Sequence, residues 1–214
     1  MSDEATTPAK YRTPLREAQR EQMRSRILSA ARNLFYDRHY DTSTMDDIAA
    51  AAGIRRSTLY LHYRDKAEIL LEVITDYGGK ATSILATLPG PAPSRAQVRA
   101  WVGEVANFIA QERAPLSIII EVRRRQGFAA ALDRLTGELL ASLGANNPRF
   151  RGAGAADANP AHRARALMLL QVLTYACEVH LEDITDPCGL ALLDVAANEF
   201  HMFLGSPGDA ALPD

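Results

Sequence analysis

The sequence predicts an all-α protein of about nine helices, because apolar residues recur at three- and four-residue spacing along most of the chain. We find no convincing segment with the alternating pattern of a half-buried strand. The 214 residues are 47% apolar and 23% charged, which provides ample material for a core and excludes an intrinsically disordered chain. The length fits a small N-terminal module followed by a larger helical body.

Breaker residues divide the chain into these helices. A Pro-Gly-Pro-Ala-Pro run at 89–93 ends one long helix, and Ser94 is placed to cap the next. A stretch rich in Gly, Ala, Asn and Pro at 144–160 predicts a mobile surface loop. The predicted helices cover residues 16–38, 45–52, 55–62, 66–88, 95–112, 116–126, 128–143, 161–182 and 187–204.

Charge is unevenly distributed along the chain, although the net charge is only −2. Residues 1–66 carry twelve basic and nine acidic side chains, a net charge of +3. Residues 67–214 carry twelve basic and seventeen acidic side chains, a net charge of −5. A basic end on an acidic chain is typical of a localised phosphate-binding face. Basic tails also occur on proteins that bind no nucleic acid, so charge alone does not define the function.

Residues 43–66 have the pattern of a helix-turn-helix. Thr44 stands three residues before Asp47, a start signal in which each side chain can satisfy a free backbone amide at the other residue. Gly53 suits the tight turn between two short helices because glycine tolerates positive φ. The second helix presents cationic, hydrogen-bonding and apolar side chains, a mixture that can read base edges in a major groove. These side chains are Arg55, Arg56, Ser57, Thr58, Leu61 and His62.

The same stretch resembles the DNA-binding domain of the tetracycline-repressor (TetR/AcrR) family. That family has a helix ending in Leu-Phe, then Thr-Thr-Val-x-Asp-Ile-Ala, then Ala-Gly-Val-x-x-Gly-Thr-Leu-Tyr-x-His-Phe-x-x-Lys. Leu34-Phe35, residues 43–49, residues 52–63 and Lys66 match this pattern closely. His39 and Ser57 depart from it, since both replace a usual glycine. The first departure predicts a strained left-handed backbone, and the second predicts a changed choice of operator.

The resemblance implies roles for individual side chains. It implies that bases are contacted by Arg55, Arg56, Thr58 and Leu61. It implies that phosphates are contacted by Thr44, Tyr60, His62, Tyr63 and Lys66, with core packing as the alternative for both tyrosines. The basic residues Lys10, Arg12, Arg16 and Arg20 are expected either to track the DNA backbone or enter a minor groove, or to belong to a solvated, flexible tail.

The resemblance also implies that the C-terminal body forms a homodimer and holds a small effector. The two closing helices support a dimer, because they are apolar on more than one face and require cover from a partner or from the interior. A mostly apolar cavity with a few polar tips suits a lipophilic or aromatic molecule. The candidate lining residues are Trp101, Phe108, Ile119, Val122, Leu139, Tyr175 and Glu178, with ordinary core packing as the alternative at each.

No pattern in the sequence indicates an enzyme, a cofactor or a metal site. A P-loop, a dinucleotide fingerprint and a nucleophile elbow are absent. Cys177 and His180 lie three residues apart, but no second ligand pair at metal spacing accompanies them. The two cysteines are too few for a disulfide framework, and we find neither a signal peptide nor a membrane span. These observations predict a cytoplasmic protein with no membrane association.

Together these features predict four segments: a flexible basic arm over 1–15, a helix-turn-helix DNA-binding domain over 16–66, a dimerisation and effector domain over 67–206, and a tail over 207–214. The predicted function is sequence-specific regulation of transcription on double-stranded DNA, with a small effector releasing a repressor from a palindromic operator.

Two alternatives to this function remain open. One is a helical module that binds a protein partner, and the other is a DNA-organising protein of the same fold without a small ligand. Salt-independent binding would favour the first alternative, because phosphate contacts weaken as ionic strength rises.

Overall fold

The computed structural model describes residues 14–205, which form nine α-helices and two short 3₁₀ helices. Within that range no strand is present, so the predicted all-α class and the helix count are confirmed. The helices are α1 (Pro14–Arg38), α2 (Met45–Ala51), α3 (Arg56–Tyr60), α4 (Lys66–Leu85), α5 (Arg95–Gln111), α6 (Arg113–Val122), α7 (Ala129–Leu143), α8 (Pro160–Glu182) and α9 (Pro187–Gly205). The 3₁₀ helices cover Gln126–Phe128 and Pro148–Phe150.

The helices belong to two compact units, one ending at Leu70 and the other beginning at Leu71. The first unit contains α1 to α3 and the start of α4, and the second contains the remainder. Most of the predicted basic arm and all of the predicted tail lie outside the described residues. Among residues 14–205, no helix is both long enough and apolar enough to cross a membrane.

The core of the first unit is built from one stripe of α1 and the inner faces of α2 and α3. Ile27, Ala31 and Phe35 recur at four-residue spacing on α1, and all three are fully buried. Ile48 of α2 and Leu59 of α3 are also fully buried. The apolar periodicity therefore places α1 behind the helix-turn-helix and holds the two short helices together.

The bounds of α6 differ from the prediction. A helix was expected over 116–126, whereas α6 covers Arg113–Val122. Pro115 still lies in the first turn, where the N–H group that proline lacks would have no partner within the helix. After Val122 the chain leaves the helix, and the Arg125 N–H donates to the Val122 carbonyl before the next 3₁₀ turn.

An aromatic cluster fills part of the second unit's core. The ring centroid of Phe200 on α9 lies 5.1 Å from that of Trp101 on α5. It also lies 5.8 Å from that of Phe150, whose ring is 4.8 Å from that of Phe203. α9 packs against both α5 and α8. The cluster therefore anchors α9 in the interior through Phe200 and Phe203.

The segment at 144–160, predicted as a mobile surface loop, is mostly exposed and is anchored to the second unit by a few buried residues. Phe150 and Asn147 are fully buried. The Asn147 amide donates to the carbonyls of Pro89 and Gly90 at 3.1 and 3.0 Å. A Cβ on Gly154 would overlap the carbonyl oxygen of Gly137 on α7, so the close approach requires glycine. Asparagine at 147 and glycine at 154 therefore serve hydrogen bonding and close packing within this loop.

Candidate nucleic-acid interface and ligand cavity

The start of α2 carries the predicted reciprocal cap. The Thr44 hydroxyl accepts the Asp47 N–H at 3.2 Å, and an Asp47 carboxylate oxygen accepts the Thr44 N–H at 3.0 Å. The Thr44 hydroxyl also donates to that carboxylate at 2.6 Å. These bonds from Thr44 and the nearby Arg38 charge lower the pKa of Asp47. Thr44 is thus committed to starting the helix, which satisfies two free amides locally.

The turn between α2 and α3 is held by a side chain from α1. Gly53 has φ of +62°, the left-handed conformation that the sequence predicts for it. Arg26 donates from Nε to the Ala52 carbonyl at 2.7 Å and from Nη2 to the Gly53 carbonyl at 2.8 Å. A guanidinium that donates to two carbonyls at the C-terminal end of a helix stabilises that end, because it supplies partners for them and carries a positive charge. Sequence reasoning did not identify Arg26 as part of the site.

Most of the predicted base-reading residues lie on the exposed face of α3 or directly beside that helix. Arg55, Arg56 and Ser57 are exposed, and Thr58 is partly exposed. Leu61 follows α3 and is 80% exposed. Arg55 occupies the N-cap position of α3 with extended backbone. An apolar tip left in solvent beside two arginines and two hydroxyls has the composition that major-groove recognition requires.

Arg56 is held by partners on both short helices. Its Nη1 donates to an Asp46 carboxylate oxygen on α2 at 2.8 Å, and both side chains are more than half exposed. Its guanidinium carbon lies 5.5 Å from the centre of the Tyr60 ring. These contacts orient a long side chain that would otherwise sample many rotamers. The contact with Asp46 was missed by sequence reasoning.

The aromatic residues predicted to contact phosphates differ in their exposure to solvent. Tyr60 is 45% exposed, whereas Tyr63 is buried at 4%. His62 is partly exposed and its ring lies 6.5 Å from that of Tyr63. The burial of Tyr63 corresponds to the core-packing alternative, because its ring fills the interior beneath the turn that follows α3. Tyr60 and His62 remain accessible from solvent.

The ammonium group of Lys66, the first residue of α4, contacts three backbone carbonyls of the α1–α2 connection. Its Nζ donates to the carbonyls of Tyr40, Asp41 and Ser43 at 2.8, 3.1 and 2.9 Å, and it lies 4.5 Å from the centre of the Tyr40 ring. Three acceptors satisfy all three ammonium protons. The contacts of Lys66 therefore indicate a structural clamp on this connection rather than a free cation for a phosphate.

The connection clamped by Lys66 contains the predicted strained residue. His39 has φ of +64°, as the sequence predicts for the position where the family has glycine. The Ser43 hydroxyl donates to the His39 carbonyl at 2.8 Å, and Ser43 itself is buried. The clamp and this hydrogen bond hold a backbone conformation that costs energy for a residue with a Cβ.

We expect replacement of Lys66 by methionine to lower the free energy of unfolding of the first unit by about 2 kcal/mol, because charge-assisted hydrogen bonds are lost. Hydrogen exchange of amides in residues 40–66 measures this loss. The slope of operator affinity against salt is the control, and it stays unchanged for a clamp. A reduction of that slope by about one per subunit without loss of stability would show a phosphate contact instead.

The predicted arm contributes two described arginines. Arg16 and Arg20 lie near the start of α1 and are exposed. Lys10 and Arg12 lie outside the described residues.

Within the described range, no group of three His, Cys, Asp or Glu side chains could hold a metal ion.

A cavity of about 610 Å³ lies within the second unit, between α4, α5, α6, α7 and α8. Its wall is mostly apolar, with a few polar groups from Thr136, Gln171, Thr174 and Glu178 and with the Arg123 side chain. The size and the lining resemble those of small-molecule sites, in which few polar groups orient an apolar ligand. Tyr77 and Phe108 line it together, with ring centroids 5.9 Å apart.

The seven predicted lining residues divide into two groups. Phe108, Ile119, Leu139 and Glu178 line the cavity. Trp101 packs in the aromatic cluster described above, and Val122 is fully buried in the core. Tyr175 is 54% exposed. These three do not line the cavity, because the helices that carry them are apolar on several faces and only one face of each borders it.

The fold and the first unit define the class of protein: an all-helical protein with a helix-turn-helix in its N-terminal unit and a ligand-sized cavity in its C-terminal unit. The family model for bacterial regulatory proteins of the tetR family matches residues 27–73, which cover that helix-turn-helix. The helix-turn-helix region of the chain is therefore similar to that of this family.

One curated relative matches about half of the chain. The chain is 31% identical over 103 residues to the HTH-type transcriptional activator FasR of Mycolicibacterium smegmatis, a match that covers 48% of this chain and 47% of FasR. The chain thus spans less than half the length of this curated relative.

Solved structures show the fold over most of the chain. A putative TetR-family regulator from Syntrophomonas wolfei has a TM-score of 0.66 at 15% identity, covering 90% of this chain and all of that one. FadR from Bacillus subtilis, solved in complex with stearoyl-CoA, has a TM-score of 0.61 at 16% identity, covering 86% of this chain and 99% of that one.

Proposed function

We propose that the chain is a cytoplasmic, homodimeric, sequence-specific regulator of transcription that represses from a palindromic operator and is released by a small lipophilic or aromatic effector. The exposed face of α3 carries this proposal. Its polar and cationic side chains project from one short helix, α3, which packs on α2 with Leu59 and Ile48 fully buried. A rigid base presenting Arg56 to solvent is suited to a major groove.

Roles on the DNA follow from exposure and existing contacts. Base edges are read by exposed side chains, namely Arg55, Arg56, Ser57, Thr58 and Leu61. Phosphates are contacted by Tyr60 and His62, which are accessible from solvent. Thr44, Tyr63 and Lys66 position these groups through the cap, the core and the clamp. The proposed DNA-binding domain covers residues 16–66 and the proposed effector domain covers residues 67–206.

A homodimer is supported by apolar side chains left in solvent on the last two helices. Met168 and Tyr175 lie seven residues apart on α8, and Val195 and Met202 lie seven residues apart on α9. A spacing of seven is close to two helical turns, so each pair shares one face. Exposed apolar faces on two helices that already pack together are the kind of surface that a twofold interface buries.

An effector is supported by the cavity and by the course of α4. The first residue of α4, Lys66, clamps the α1–α2 connection, while Tyr77 and Ala81 on the same helix line the cavity. A ligand that favours one position of α4 would shift the population of dimers able to bind the operator. The structural neighbour FadR is solved in complex with stearoyl-CoA, which has a long acyl chain, and this supports a ligand with an apolar portion.

Selection of duplexes from a random pool by the purified full-length protein tests the proposal. We expect enrichment of an inverted repeat, with affinity falling steeply as salt rises. Enrichment of no sequence by a folded protein would contradict sequence-specific recognition. Salt-independent binding would favour a protein-interaction module instead.

The direction of regulation requires a separate measurement, because FasR is named an activator. Transcription in vitro from a promoter that overlaps the selected repeat should fall when the protein is added. An increase would contradict repression and leave operator recognition intact.

A further inference from the structure

The cavity in the second unit has two charged groups in its described wall, and they differ in their surroundings. Arg123 follows α6 and is exposed, with Nη1 3.5 Å from the side-chain oxygen of Gln171. Glu178 on α8 is partly buried. Its Oε1 is buried, and no described residue donates a hydrogen bond to it. A buried acceptor without a donor is rare in folded proteins and calls for an explanation.

Aromatic rings accompany the buried carboxyl group. Tyr77 and Phe108 line the same cavity as Glu178. Burial, then the charges of Glu112 and Glu178, raise the pKa of Tyr77 above its usual range. Burial and the Glu178 charge also raise the pKa of Cys177 to about 12. The faces of aromatic rings attract cations, as a carboxylate does.

We propose that the cavity takes an amphipathic organic cation, a protonated amine on an elongated apolar body, with the ammonium group donating to Glu178 beside the rings of Tyr77 and Phe108. This proposal rests on the effector role proposed above and names the class of ligand for that site. The lining residues of α8 extend from Ala164 to Glu178, and fourteen residues of helix span ~21 Å. The apolar body can therefore be long, with its charged end at Glu178.

The charges in the wall favour a cation over an anion. Burial and the charge of Glu182 raise the pKa of Glu178, which is the shift expected when no nearby cation compensates the carboxylate. A ligand ammonium would supply that compensation and the missing hydrogen-bond donor. Arg123 could receive an anionic headgroup, but its exposed guanidinium is already solvated and contacts Gln171. An alkyl chain with a neutral end would leave Glu178 without a charged partner.

Three probes with the same tail test the charge preference on the full-length protein: dodecylammonium, dodecanol and dodecanoate. Isothermal titration calorimetry below their micelle concentrations should give the tightest binding for dodecylammonium. Glu178→Gln keeps the size of the side chain and removes its charge, and we expect it to weaken dodecylammonium binding by about 10- to 100-fold. Binding of dodecanol should stay unchanged, which shows that the variant cavity is intact.

Glu182→Gln is the matched control, because Glu182 is an exposed carboxylate one turn further along α8. It should change dodecylammonium affinity by no more than about threefold. Tightest binding of dodecanoate, especially if Arg123→Gln abolishes it, would overturn the proposal in favour of an anionic ligand. Failure of dodecylammonium to bind, or equal affinity in Glu178→Gln, would overturn it as well.

These outcomes are separate from the test of the proposed function. The titrations measure binding without DNA, so a missing operator would contradict the regulator and leave the cation preference measurable. An operator that is found, together with a cavity that prefers dodecanoate, would contradict only the inferred ligand class.

Discussion

Replacing Arg56 with alanine will abolish discrimination at one operator position per half-site and cost about 1–3 kcal/mol of binding free energy at each. In the proposed DNA-binding role, Arg56 donates to Asp46 at 2.8 Å and uses its remaining N–H groups for bidentate contact with a guanine. Competition binding against operators with each base at that position measures the effect. The loss should be largest for the cognate base and small for random duplexes.

Arg56→Lys is the control that separates base reading from charge. Lysine keeps the positive charge but lacks the planar fork, so it should restore non-specific affinity without restoring discrimination. Asp46→Asn should give a smaller loss of discrimination, because it weakens the orientation of Arg56 and leaves the guanidinium present. Full rescue by lysine, or equal losses on cognate and random DNA, would contradict the assigned role.

Replacing Phe200 with alanine is expected to lower the free energy of unfolding of the second unit by about 3–5 kcal/mol. Phe200 is fully buried and its ring contacts those of Trp101 and Phe150, so truncation opens a cavity between α5 and α9 and the 3₁₀ turn at Pro148–Phe150. Urea denaturation followed by the fluorescence of Trp101, the single tryptophan, reports directly on this cluster.

Two variants bracket the Phe200 result. Phe200→Leu keeps much of the volume and should cost less, about 1–2 kcal/mol. Glu199→Ala changes an exposed neighbour on the same helix and should stay within about 0.5 kcal/mol of the parent. A Phe200→Ala loss no larger than that of Glu199→Ala would show that the aromatic cluster does not stabilise the unit.

Local signals in the sequence were enough for the helix-turn-helix. The reciprocal cap of Thr44 and Asp47 and the positive φ of Gly53 depend on residue type and short spacing, which the sequence displays directly. The left-handed backbone of His39 was expected because the resembling family has glycine at that position. The departure at His39 was therefore predicted together with its backbone conformation.

Contacts between distant residues were not predictable in the same way. The hydrogen bonds from Arg26 to the turn, the pairing of Asp46 with Arg56 and the Lys66 clamp join residues ten to twenty-seven positions apart. No periodic pattern marks them, because any exposed arginine or lysine has the same appearance in a sequence. Lys66 shows the consequence, since its match to the family pattern implied a phosphate contact and its surroundings indicate a clamp.

The sequence by itself determined the all-α class and the position of the helix-turn-helix, because helical periodicity, caps and turn residues act over short distances. Tertiary structure decided which face of each apolar helix borders the cavity. Phe108 and Glu178 line it, whereas Trp101 and Tyr175, on the same two helices, point into the core and into solvent. The physical reason is that burial depends on the neighbours a face meets, and those neighbours come from helices far away in the chain.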